Sequence, residues 1–182
     1  MTCGTVKIIT GDQTLQNVEG NNMKKWKNIG ALFFLLTTFT AQTETITGRV
    51  FHISDGDTLK ILTETNEKMR IRLAGIDTPE KGQPFGREAK QALTVLTLQK
   101  KITIDVQTID RYERTVGLVY VQGLDVNAEL VRQGMAWVYR RYTNDERLYA
   151  LEAKAKKEKR GLWSTNNFIE PWLWRRGERK FK

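Results

Sequence analysis

Apolar and polar positions alternate with a period of two from Ile46 to Ile53, break at Ser54-Asp55-Gly56-Asp57, and resume from Thr58 to Thr63. That period sends successive side chains to opposite faces of a strand, and Asp-Gly between two such runs marks a hairpin. A third alternating run spans Lys68 to Ile76, where Met69, Ile71 and Leu73 interleave with Arg70 and Arg72, so both arginines are expected on one face. After Pro84 the period changes: Ala89, Ala92, Leu93 and Leu96 recur at helical spacing, predicting an amphipathic helix to about Gln99. Ile102, Ile104 and Val106 return to period two, and Val116 to Val121 reads as a fifth strand closed by Gln122-Gly123. Asp125 is placed to cap a helix carrying Val126, Leu130 and Val131 and ending at Gly134. A third helix is expected from about Asn144 to Arg160, with Leu148, Leu151 and Ala155 on one stripe and Gly161 as its stop.

Five short strands interrupted by one helix and followed by two more predict a mainly β, α+β architecture. It is a five-stranded Greek-key barrel of the OB type with three α-helices packed on it. No internal repeat is visible. Residues 167–182 form a basic aromatic tail whose Pro171-Trp172-Leu173-Trp174-Arg175-Arg176 run reads either as an aromatic strap or as a mobile end.

At the other end, Met23, Lys24, Lys25 and Lys27 precede an apolar run from Ile29 to Phe39. A charged stretch followed by an apolar one is the layout of a secretory signal, and the run falls short of the roughly 20 apolar residues that a spanning helix needs. Residues 23–41 are therefore expected to be a signal peptide cleaved near Ala41, and the protein to be secreted or periplasmic. The alternative is a membrane anchor formed by the uncleaved segment. Residues 1–22 show neither feature, and Glu19-Gly20 must be encoded as a purine run resembling a ribosome-binding site just upstream of Met23. They are expected to be a non-translated or dispensable extension, leaving residues 42–166 as the folded domain.

With 182 residues, 40% of them hydrophobic, the chain has room for one core. The net charge of +9 favours polyanions, whether nucleic acid or anionic lipid. Cys3 is the single cysteine and His52 the single histidine, which excludes a disulfide framework, Cys/His zinc sites and catalytic groups needing two histidines. His52, in an alternating strand, reads as a structural or surface group.

The remaining reagents are carboxylates and arginines. Asp55-Gly56-Asp57-Thr58 and Asp77-Thr78-Pro79-Glu80 both lie where loops leave strands. If those strands are neighbours, Asp57 and Asp77 converge, and close carboxylates repel unless a cation lies between them; oxygen-only ligands suit calcium or magnesium. Read blandly, the first cluster is an ordinary hairpin and the second an ordinary strand exit. Arg72, and Arg114 within Asp110-Arg111-Tyr112-Glu113-Arg114, change that balance, because guanidinium groups clamp phosphate oxygens bidentately.

With these two clusters and two arginines, Asn127-Ala128-Glu129-Leu130-Val131-Arg132-Gln133-Gly134 and the stretch from Glu152 to Trp163, the segment from Ile46 to Trp163 resembles the staphylococcal nuclease (thermonuclease) family. The resemblance implies a calcium-dependent phosphodiesterase cutting DNA and RNA with little sequence specificity. It implies Ca2+ held by the carboxylates of Asp57 and Asp77 and the carbonyl of Thr78, with Asp55 in the outer shell. Glu80 would be the general base, and Arg72 and Arg114 would stabilise the transition state. Arg111, Tyr112 and Tyr142 would contact substrate, the tyrosines reading equally well as core aromatics. A monomer without an obligate protein partner is expected, meeting membranes only if the N-terminal helix is retained. Where the family has glycine before the second arginine, this chain has Glu113. That substitution implies a changed backbone or a carboxylate near the phosphate, and lower activity at worst. The other reading is a non-catalytic OB module that binds single-stranded nucleic acid. It predicts loss of the carboxylates or arginines, all of which are present.

Overall fold

The computed structural model describes residues 44–178, so the signal peptide, its cleavage position and the start at Met23 lie outside the described residues. The strands are β1 (Thr45–Ile53), β2 (Thr58–Thr63), β3 (Lys68–Leu73), β4 (Ile76–Asp77), β5 (Lys101–Ile109), β6 (Thr115–Val121), β7 (Leu124–Asp125) and β8 (Trp137–Val138). The helices are α1 (Gly86–Thr97), α2 (Val126–Arg132), α3 (Glu146–Lys157) and α4 (Pro171–Trp174), with a 3-10 turn at Gly161–Ser164.

Strand order in the main sheet is β3-β2-β1-β5-β6-β7, and a parallel pairing of β3 with β6 closes it into a five-stranded mixed barrel. Alternation in the strands fills the interior: Val50, Leu59, Ile61, Ile71, Leu73, Ile102, Ile104 and Val119 are buried, and Ala89 and Leu93 of α1 and Leu130 and Val131 of α2 join the core. Phe51 sits at a register shift between Val50 and His52, leaving both Phe51 and His52 exposed. His52 is thus a surface group, because the register shift breaks the alternation that would have put it on the face of buried Val50.

Two expectations change. The third strand stops at Leu73 rather than Ile76, because the chain turns at Ala74-Gly75, where Gly75 takes φ 71°, a region without penalty only for glycine. Ile76-Asp77 then pairs antiparallel with Trp137-Val138 as a separate ribbon. A fourth short helix lies in the tail, started by Pro171 at its first position, where a missing N–H costs nothing. The tail packs back: Ile169 and Pro171 are buried, and Trp172 stacks on Tyr139 with ring centroids 5.1 Å apart.

The turn after β3 is tied to the barrel by Asn127, which is fully buried in α2. Its Oδ1 accepts from Val119 N (3.0 Å), and its Nδ2 donates to the Ala74 carbonyl (2.8 Å). Asn127→Ala strands a buried N–H and a buried C=O, so it is expected to lower stability by about 2–4 kcal/mol, read from urea denaturation. A loss below about 1 kcal/mol would show that water replaces the amide.

Candidate active site

The first acidic cluster reaches the second because of a glycine. A Cβ at Gly56 would lie 2.6 Å from Thr78 Oγ1 and 2.8 Å from the Ala89 Cβ, so only glycine lets the β1–β2 turn press onto residues 77–80 and α1. Asp57 then accepts from both Thr78 N and Thr78 Oγ1, each at 2.8 Å, through Oδ2. Its Oδ1 accepts from Thr58 Oγ1 at 3.2 Å, and Asp55 Oδ1 accepts from Asp57 N at 3.1 Å.

Arg72 spans the two clusters. Its Nε lies 3.2 Å from Asp57 Oδ1, its Nη2 donates to Asp77 Oδ1 at 3.0 Å, and its Nη1 donates to the Leu73 carbonyl at 2.6 Å. Each Nη carries a second N–H that none of these contacts uses. Asp57 and Asp77 are 5% and 1% exposed, so the structure brings together two buried carboxylates with a guanidinium touching both. Burial is the largest influence on Asp77 and pushes its carboxyl upward, opposed by hydrogen bonds from Arg175 and the charge of Arg72. Burial, with the Asp57 charge adding, pushes Asp55 up to about 6.

Arg114 comes from the β5–β6 loop, which lies beside β3 because β6 pairs with it at Ile71–Thr115 and Arg72–Val116. Arg70, on the same face of β3 as Arg72, donates to the Tyr112 carbonyl and fastens the loop. Within the loop Asp110 Oδ1 accepts from Tyr112 N (2.9 Å) and Arg114 N (3.0 Å), and Oδ2 accepts from Arg114 Nε (2.7 Å). Burial acts to raise the Asp110 carboxyl, but these bonds to Arg114 and Tyr112 outweigh it and hold the group below its ordinary range. Glu113 keeps the left-handed backbone that glycine would supply, with φ 59°. Glu113 is exposed and is not among the residues lining the cleft.

The cleft has a volume of about 810 Å³ and is lined by Asp55, Asp57, Arg72, Asp77, Thr78 and Glu80 together with Arg111, Tyr112, Arg114 and Tyr142. Every residue to which the resemblance gave a metal, catalytic or substrate role therefore lines one cavity. Tyr112 and Tyr142 are 53% and 64% exposed, so they are not core aromatics. Tyr112 Oη accepts from Arg111 Nη2 at 2.7 Å, and the Arg111 and Arg114 guanidinium groups lie 4.8 and 5.4 Å from its ring centroid.

Among the charged and aromatic lining residues, Asp110, Tyr139, Arg141 and Arg175 had been given no role. Tyr139 and Arg141 lie in Trp137-Val138-Tyr139-Arg140-Arg141-Tyr142, an aromatic and basic stretch with no clear period of its own, and the pairing of β8 with β4 fixes its register. Arg175 donates from Nη2 to Asp77 Oδ2 (2.7 Å), and from Nη1 to Asp77 Oδ1 (3.2 Å) and to Glu80 Oε1.

Buried Asp57 and Asp77, brought together beside Thr78, are hard oxygen donors of the kind that fits calcium or magnesium. Among the described residues no group of three or more His, Cys, Asp or Glu side chains forms a ready-made metal cage, so water and substrate would complete the shell.

A closed small barrel carrying carboxylates and arginines in one cleft is chemically suited to holding phosphate groups. The profile for the Staphylococcal nuclease homologue family matches residues 70–165. An "Uncharacterized endonuclease" of Haemophilus influenzae is 43% identical over 150 residues, covering 82% of this chain and 84% of the relative. A "Micrococcal nuclease" of Shigella flexneri is 41% identical over 143 residues, covering 72% and 82%. "Protein ParB" of Escherichia coli is 40% identical over 157 residues, covering 80% and 88%. The chain belongs to the staphylococcal nuclease family and is a nuclease acting on nucleic acid.

Proposed function

We propose that the cleft hydrolyses phosphodiester bonds of both DNA and RNA in a calcium-dependent reaction, with the site residues in the roles the family resemblance implies. The convergence of buried Asp57 and Asp77, touched by one guanidinium, is the observation that carries the reading. Asp57, Asp77 and the Thr78 carbonyl would hold the cation, with Asp55 supporting Asp57 from outside. Bound there, calcium supplies positive charge to a phosphate oxygen.

Glu80 orients a water and accepts its proton as the water oxygen bonds to phosphorus and the opposite P–O bond breaks, the departing sugar oxygen taking a proton from solvent. Arg72, through its unused N–H groups, and Arg114 bind the phosphoryl oxygens where charge grows. Tyr112 and Tyr142 offer exposed rings on which bases stack irrespective of identity, and Arg111 adds backbone attraction. Such a site discriminates weakly between sequences and sugars.

The test is to incubate the purified protein with plasmid DNA and total RNA, with calcium or with a chelator. Both polymers are expected to be degraded with calcium and to survive in chelator. Tight binding without cutting under every metal condition would transfer the protein to the non-catalytic binding class.

A further inference from the structure

Arg175 lies beyond the family-matched segment, yet it reaches the centre of the cleft across 98 residues of sequence. Its two Nη atoms take both oxygens of Asp77 and one oxygen of Glu80. We propose that Arg175 is a resident counter-ion of this carboxylate pair, which a divalent cation must displace, so that the C-terminal turn sets the cation concentration at which the nuclease becomes active. The proposal rests on the reading of Asp57 and Asp77 as the cation site.

Docking of the tail that carries the guanidinium does not depend on its ion pairs. Gln83 Nε2 donates to the Ile169 carbonyl at 2.6 Å, while Gln83 Oε1 accepts from Glu80 N at 2.9 Å, so one buried side chain ties the tail to the backbone of Glu80. Trp172 stacks on Tyr139 with an interplanar angle of 5° and meets Trp137 edge-on at 5.9 Å. Pro171 is buried, and the single turn of α4 then delivers residue 175 to the cleft mouth. The side chain of Arg175 is itself 43% exposed, against 14% for Arg72. It is therefore free to swing into solvent while the tail stays docked, whereas Arg72 is enclosed.

A guanidinium and a divalent cation sharing Asp77 lie about 4 Å apart, and repulsion between charges of one and two at that distance is enough to weaken cation binding about tenfold or more, even in a water-like dielectric. The same contact occupies Glu80, so the proposed base is also masked until the arginine leaves.

Calcium is titrated calorimetrically, without nucleic acid, into the full-length protein and into Arg175→Ala, Arg175→Gln and Arg175→Lys. Tryptophan fluorescence reports whether Trp172 remains docked. The Ala and Gln variants are expected to bind calcium about tenfold or more tightly than the parent, and the Lys variant, which keeps the charge, to stay within about threefold of it. Unchanged or weaker calcium binding in the Ala and Gln variants would make Arg175 a mere staple for the tail and overturn the proposal, leaving the cation site intact. Absence of calcium binding in the parent and all variants would overturn the proposal together with the cation reading beneath it.

Discussion

Glu80→Gln is expected to lower kcat on DNA and RNA by about 10²–10⁴-fold, the usual worth of a positioned general base. The substitution removes basicity and little else. Glu80 is about a third exposed as a side chain, and its backbone is pinned by Gln83, so an isosteric amide keeps the loop in place. Arg175 retains both oxygens of Asp77 as acceptors. The melting temperature should therefore stay within about 4 °C of the parent, since an exposed ion pair contributes at most about 1 kcal/mol. Single-turnover cleavage at saturating substrate separates the chemical step from binding. A decrease under about tenfold would show that Glu80 orients nothing essential and that bulk water loses its proton elsewhere.

How much of this site can be read along the chain depends on the range of the interaction involved. Period two is local, so the shared face of Arg70 and Arg72 and the barrel strands follow directly from it, and Asp125 caps α2 through an Oδ1 that accepts from Ala128 N at 2.9 Å. The end of β3 is less legible: Leu73 and Ile76 are both apolar and buried, and only the positive φ of Gly75 separates two strands between them. Gly56 looks like a plain hairpin glycine, yet its second duty, to let Thr78 approach, exists only once the chain is folded. Arg175 is hidden more completely. Its role depends on Trp172 finding Tyr139 and Ile169 finding Gln83, pairings that no local pattern encodes. The aromatic composition of the tail marks it as sticky without naming its target. Glu113 is the converse case. The family comparison flags it, but the loop tolerates it because Asp110 gathers the N–H groups of Tyr112 and Arg114 around the left-handed residue.

That same loop sets the second large expectation. Arg114→Ala should reduce kcat by about 10²–10³-fold on either polymer, the range seen when one preorganised donor to developing charge is removed. Arg114→Lys should recover only part of it, since an ammonium offers charge without the planar fork. Arg72 is a less clean test of phosphate binding, because deleting it also leaves Asp57 and Asp77 facing each other without their shared cation. Arg114 has no contact with those carboxylates among its described hydrogen bonds; its partner is Asp110. Loss of rate in Arg114→Ala should therefore come with calcium affinity unchanged within about twofold, measured by calorimetry. Asp110→Asn supplies the control for orientation. It keeps an acceptor for the loop N–H groups but weakens the grip on Arg114 Nε, so it should cost less than Arg114→Ala and act on kcat rather than KM. Equal losses in the two variants would mean that the loop's shape, and not the guanidinium, is what the reaction needs.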